Sequence, residues 1–204
     1  MVRIFNQVHT YKDDFQTVAL AYFLRYPNPF AKHIISCDVL SRTITPEGTL
    51  KTTRLILKSG KLPLWAMTLV GGWGGGLGAW VLEESECYPY PPYAFLRSTT
   101  RNITHGNILS IHETSLLKPA SISSESTQPP VSMTLHEVEG RILSSLNTVE
   151  AVKRKIETFG EGRFAKGLEK SRLGISHIIQ KVKEHRQTLL DRKTIGVRGL
   201  GLEI

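Results

Sequence analysis

Cysteine is scarce in this 204-residue chain, which holds only Cys37 and Cys87. Two such thiols make neither a disulfide framework nor a metal-ligand set, and they read as core residues. A phosphate-binding loop is missing too: Ser59-Gly60-Lys61 runs into Leu62-Pro63 rather than into a Ser or Thr opening a helix, and no glycine stands at the upstream spacing. That excludes the usual nucleotide site. No catalytic constellation is visible either. His33 and Cys37 share a strand face, but four residues of strand separate them by more than about 12 Å, beyond hydrogen-bond reach. No close carboxylate pair or metal-ligand spacing appears, so no cofactor or metal is expected. Residues 1–11 carry a single basic residue and alternate apolar with polar positions, unlike a secretory signal or an Arg/Ser-rich transit peptide. The sequon Asn102-Ile103-Thr104 is therefore expected to stay unglycosylated.

Charge is absent from one long run, the 21 residues from Leu62 to Leu82. About 20 such residues suffice to span a bilayer as a helix. Pro63 and six glycines (Gly71, Gly72, Gly74, Gly75, Gly76 and Gly78) argue against that reading. Each interior glycine costs a helix about 1 kcal/mol, and irregular backbone facing lipid leaves its polar groups unsatisfied. The stretch reads as an apolar loop bearing Leu62, Leu64, Trp65, Met67, Leu69 and Trp73, of the kind that forms a lid or touches a membrane. An ordinary core segment is the alternative.

What is present fits one domain with a sizeable core: 40% of residues are hydrophobic. The net charge of +8 is uneven. Residues 141–204 hold 14 Lys/Arg against 7 Asp/Glu, whereas residues 1–140 are nearly balanced. Such a basic segment is either a solvated helix face or a surface for phosphate-bearing partners, nucleic acid or anionic lipid.

Periodicity predicts the elements. Residues 2–11 alternate as a strand; Asp13 or Asp14 then caps a helix that ends at Tyr26, before Pro27. Its apolar stripe (Phe15, Val18, Ala19, Tyr22) continues to Arg25, which should point inward as either a ligand anchor or one half of a salt bridge. A strand over 33–44 has the face His33, Ile35, Cys37, Val39, where His33 is a satisfied core residue or a cavity wall. Pro46-Glu47-Gly48 turns the chain into a strand over 49–58 with Arg54 and Lys58 on one face. Further strands are expected over 79–87, 93–103, 108–117 and 131–143, with a flexible Ser/Thr/Pro-rich loop over 122–130. Seven strands with hairpin-length links imply an antiparallel sheet. From about Ser145 a helical period begins (Leu146, Val149, Val152, Ile156, Phe159, Leu168, Ile175, Ile178, Ile179, Val182) whose wide stripe must cover the sheet. Gly160, Gly162, Gly167 and Gly174 could kink it. The domain is expected over 1–190, with a frayed tail over 191–204.

Several motifs occur together in order: Arg25-Tyr26-Pro27-Asn28-Pro29, His33, Thr52-Thr53-Arg54-Leu55, Lys58-Ser59-Gly60-Lys61-Leu62-Pro63 with Trp65, Trp80 with Glu83-Glu84-Ser85, Thr100-Arg101-Asn102, and Lys170-Ser171-Arg172 with Gly174. In this the chain, over about residues 1–186, resembles the PRELI-like family of mitochondrial lipid-transfer proteins, and the Lys-Ser-Gly-Lys-Leu-Pro stretch is most similar to its phosphatidic-acid branch. The resemblance implies an α+β fold: a curved seven-stranded antiparallel sheet, covered by helices that include a long C-terminal one, enclosing a lipid pocket with a lid over about 60–78. It implies Arg25, His33 and Lys58 on the pocket wall, with Arg25 deepest, and Arg163 and Lys170 at the mouth. It places lid and membrane contacts at Lys61, Leu62, Leu64, Trp65, Met67 and Leu69. It further implies residence in the mitochondrial intermembrane space, support of cardiolipin synthesis, docking on anionic membranes, and a small twin-cysteine helical-hairpin partner, without catalysis or nucleic acid. Gly167, where the family commonly has a polar residue, and the glycine-rich Gly71–Gly78 depart from the pattern. A phosphatidylserine carrier, a nucleic-acid-binding domain and a lipid-modifying enzyme are the alternatives.

Overall fold

The structure, a computed structural model, describes residues 3–60, 77–106, 108–122, 131–144 and 150–199. Strand β1 (Arg3–Tyr11) leads to helix α1 (Phe15–Phe23). There follow β2 (Ile34–Ile44), β3 (Leu50–Gly60), β4 (Leu77–Tyr88), β5 (Phe95–Asn102), β6 (Ser110–Ile122) and β7 (Val131–Leu143). Helix α2 (Glu150–Gly199) closes the chain. The sheet order is β1-β7-β6-β5-β4-β3-β2, antiparallel throughout, as the expected hairpin links require. Because α1 crosses between β1 and β2, those two strands become opposite edges.

Asp14 caps α1: its carboxylate accepts the Thr17 N–H at 2.8 Å and the Thr17 hydroxyl at 2.7 Å. The helix stops three residues earlier than expected. Leu24 is its C-cap, so Arg25 and Tyr26 leave the helix. The core forms where α1 and the middle of α2 press on one end of the sheet, joining Phe15, Val18 and Tyr22 to Leu96, Leu117, Ile175 and Ile179. Asn28 organises the turn between, accepting the N–H groups of Phe30 and Ala31 at 2.8 and 2.9 Å.

Several sequence expectations are corrected. Ile35 and Val39 do not face the core; they are 61% and 50% exposed, because β2 is an edge strand with register shifts at Ile34/Ser36 and Val39/Ser41 that break its alternation. Cys37 is accordingly half-buried, while Cys87 lies in the core. Helix α2 runs past Asp191 to Gly199, where a tail was expected. Gly60, Leu77 and Gly78, assigned to the lid, pair in the β3–β4 ladder. Lys61, Leu62, Leu64, Trp65, Met67 and Leu69 lie outside the described residues, as do Leu146 and Val149.

Two glycines bring α2 close. At Gly140 on β7 a Cβ would overlap the Phe164 ring, and at Gly174 it would come within 2.7 Å of the Asn28 amide. Phe164 also meets Phe5 edge-on, ring centroids 5.8 Å apart, which seats this part of α2 against the β1–β7 edge. Gly140→Ala should therefore lower stability by about 1–3 kcal/mol, the range for overpacking. Urea denaturation should show part of that loss returning in the Gly140→Ala/Phe164→Leu double variant.

Candidate functional site: a charged cavity between sheet and helix

The core fills only one end of the space under α2. Toward the other end a cavity of about 660 Å³ remains between the helix and the concave face of the sheet. Strand alternation decides what lines it. On β3 the inward residues include Arg54, Ile56 and Lys58, and on β4 they include Glu83, Val81 and Ala79; all but Arg54 reach the cavity wall itself. The helix contributes Ile156, Phe159, Phe164 and Leu168, an apolar middle, together with Arg163, Lys166 and Lys170 at the rim. Arg25, His33, Lys58, Arg163 and Lys170, the five residues that resemblance assigned to a pocket, all line this one cavity.

Its deep end is an ion triad. Glu83, with no exposed surface, receives both Arg25 and Arg54: Arg54 Nε donates to Oε1 at 2.7 Å, and Arg25 Nη2 donates to Oε2. Both guanidiniums also serve α1, whose last carbonyls have no partner within the helix. Arg25 donates to the Tyr22 carbonyl at 2.7 Å and Arg54 to that of Phe23 at 3.0 Å. Arg25 lies over the Tyr22 ring at 3.8 Å and near that of Tyr26 at 4.8 Å. Burial opposes ionisation of Glu83, yet the Arg25 and Arg54 charges outweigh it and hold the carboxyl below its usual range. Arg25 is thus a salt-bridge residue and a cavity-wall residue at once. With one carboxylate for two guanidiniums, the triad keeps one positive charge.

A cross-strand row extends from this triad. Arg54, Glu83, Thr100, Glu113, Gly140 and Phe5 are successive partners from β3 to β1. Glu113 is half-buried and opens onto the cavity, and burial raises its carboxyl above the ordinary range against the opposing pull of Lys58 and Arg25. Farther along lie His9 and His136. His136 Nε2 and Ser115 Oγ are 2.7 Å apart, and Tyr11 stacks on the ring. His33 stands in the turn before β2, its carbonyl accepting the Ser59 N–H at 2.7 Å; it is half-buried wall rather than core. Burial, then the cations Lys58, Lys170 and Arg163, lower its basicity. Asn102 fixes the loop after β5 through bonds to the Thr104 and Leu109 carbonyls and the Ile111 N–H. Its amide is therefore engaged and turned to the interior.

Sequence reasoning missed Glu83, Glu113, His9, His136 and Arg172 as wall residues. The signal was strand alternation: Glu83 follows Val81, and Glu113 follows Ile111, on inward faces. Among the described residues, no group of three or more His, Cys, Asp or Glu side chains comes together to hold a metal ion. None of the described helices is long and apolar enough to cross a membrane.

Residues 16–185 match the model of the PRELI-like family. The chain belongs to the PRELI-like family. "Protein UPS1, mitochondrial" of Saccharomyces cerevisiae is 32% identical over 186 residues, covering 91% of this chain and 98% of that protein. "PRELI domain-containing protein 1, mitochondrial" of Homo sapiens is 28% identical over 182 residues, covering 89% of this chain and 77% of that one. Among solved structures, the Zhui aromatase/cyclase of a Streptomyces species superposes with a TM-score of 0.54 at 6% identity, over 89% of this chain and 96% of that one. TTHA0849 of Thermus thermophilus gives 0.51 at 13%, over 88% and 99%. At such identities the likeness is one of fold, a helix-covered sheet shared by proteins of diverse sequence.

The PRELI-like interior should titrate in acid. Burial, then Arg25 and then His9, depress His136 from 6.5 to about 4. A histidine held neutral in the fold contributes stability above its unfolded value of 6.5, lost as pH falls toward about 4. The loss is on the order of 3 kcal/mol. Unfolding of the wild type should show this slope, and His136→Gln should reduce it by about one proton across the same window.

Proposed function

We propose that the protein is a mitochondrial lipid-transfer protein that extracts phosphatidic acid from one membrane and delivers it to another across the intermembrane space, in support of cardiolipin synthesis. Membership of the PRELI-like family supports lipid transfer, and the two relatives named above are mitochondrial proteins. The observation that carries the reading is the cavity: among its described lining residues, apolar walls in the middle, six basic side chains (Arg25, Lys58, Arg163, Lys166, Lys170, Arg172) and only two carboxyls, Glu83 and Glu113. Glu83 is spent on its two arginines. Such a chamber suits an amphiphile with an anionic head, whose chains would otherwise expose methylenes to water at about 0.8 kcal/mol each.

The residues have distinct parts in the cycle. Docking on an anionic surface gains roughly 1 kcal/mol per nearby Lys or Arg and weakens with salt. The exposed cations of α2 supply it, whereas Lys183 and Arg186 are taken by Asp13 and the Thr17 hydroxyl of the α1 end. Lys61, Leu62, Leu64, Trp65, Met67 and Leu69, outside the described residues, are the proposed lid and membrane contacts on the family resemblance alone. Lys170, Arg163 and His33 receive the headgroup at the rim, and Lys58 and Arg25 hold it through charge-assisted hydrogen bonds. A small twin-cysteine hairpin protein is the proposed stabilising partner. Phosphatidylserine is the alternative cargo.

Arg25→Glu is a poor probe of lipid contact, because it places two carboxylates against one arginine in the buried triad and threatens the fold. Lys58 makes no ion pair with any described residue. Lys58→Glu should keep the folded state and vesicle binding while cutting phosphatidic acid transfer between liposomes by about tenfold or more. Undiminished transfer by that variant contradicts the assigned contact. A wild type that moves no lipid and binds RNA in a salt-dependent way contradicts the carrier reading.

A further inference from the structure

Within the described wall only Glu83 and Glu113 carry carboxyls, and their situations differ. Glu83 sits between two guanidiniums. Glu113 is two strands away in the same row, with Thr100 between, at roughly 10 Å for two inter-strand spacings. Among the described residues it has neither a hydrogen bond nor an ion pair. It is the one wall carboxyl with its bonding capacity left for a guest. Lys58 from β3, Arg25 from the end of α1 and Glu83 from β4 act on it electrostatically. His136 from β7, His9 from β1, and Arg163, Lys170 and Arg172 from α2 face the same space.

We propose that Glu113 selects the headgroup: its carboxyl acts as hydrogen-bond donor to a lipid phosphate monoester and, in that role, offers no anionic partner to the ammonium of an amine-bearing lipid. The chemistry follows from burial. A carboxyl drawn into a cavity wall with no partner of its own is easier to neutralise than one in water, and burial raises that of Glu113. An arriving phosphate adds negative charge beside it and favours the proton further. Neutral, the group donates to a phosphoryl oxygen; ionised, it would repel that oxygen and attract an ammonium instead. With Glu83 already neutralised, Glu113 is the residue whose charge decides between the two classes of head. The inference rests on the carrier reading and names its selectivity.

The test uses the full chain, wild type and Glu113→Gln, with phosphatidylcholine vesicles carrying equal phosphatidic acid and phosphatidylserine, and reads the ratio of the two lipids extracted from mildly acid to mildly alkaline pH. In acid the two proteins should extract the same mixture, rich in phosphatidic acid. As pH rises, the wild-type ratio should fall toward phosphatidylserine by up to about tenfold per pH unit, while Glu113→Gln, a permanently neutral donor, should hold the acid ratio. Ionisation of the lipids themselves is common to both proteins, so ratios that change in parallel overturn the role of Glu113. Infrared difference spectra of the lipid-free proteins across the same pH range add a readout independent of cargo. A protonated-carboxyl stretch that persists in the wild type above the usual glutamate range and is missing from Glu113→Gln supports the inference; no such difference overturns it and leaves the carrier intact. Folded protein that extracts neither lipid overturns the carrier reading and this inference with it.

Discussion

Two guanidiniums share one buried carboxylate, and the rest of the interior is arranged around that fact. Glu83 on β4 binds Arg54 from the neighbouring strand and Arg25 from the residue just beyond α1. The same arginines take up the carbonyls of Tyr22 and Phe23. The end of the helix, the two strands and the floor of the cavity are thereby tied into one unit, each of these polar groups taking a partner from another. Removing one partner from a buried ion pair costs about 3–5 kcal/mol. Among the described residues the surplus positive charge pairs with no further carboxylate, which leaves the floor disposed toward an anion.

Helix α2 divides the space above the sheet. Around Ile175, Ile178 and Ile179 it packs on α1 and closes the core. Nearer its start, Gly160 and Phe164 press on Leu109, Ile142 and Gly140, so the helix touches the sheet along the β1–β7–β6 side. Between these contacts and the β3–β4 side, the chamber stays open. Its polarity is graded, with the triad at the floor, aliphatic and aromatic walls above it, and the lysines and arginines of α2 at the rim. A guest with a charged head and apolar chains finds a partner for each part.

The strand count, the antiparallel order and the long final helix were legible in the sequence because alternation and helical period are local signals. So were Arg25 at the inner end of a stripe and Lys58 on an inward strand face. The edge strand was not: its two register shifts are properties of pairing with β3, and no spacing within residues 34–44 reveals them. Nor did local pattern reveal that Gly140 and Gly174 exist for partners far along the chain, Phe164 and Asn28. The triad failed to show for a similar reason. Glu83 reads as the charged boundary of an uncharged run until β3 and β4 are paired in register, when it falls opposite Arg54. Glu113 likewise gains its meaning only from the row that links it to Glu83.

The central claim is that the chamber carries one phospholipid with an anionic head. Native mass spectrometry of the protein isolated from cells, followed by identification of the released molecule, tests it most directly. The account predicts one phospholipid per chain, with phosphatidic acid enriched over its abundance in the source membranes. A folded protein that is isolated empty and takes up no phospholipid from vesicles would contradict it.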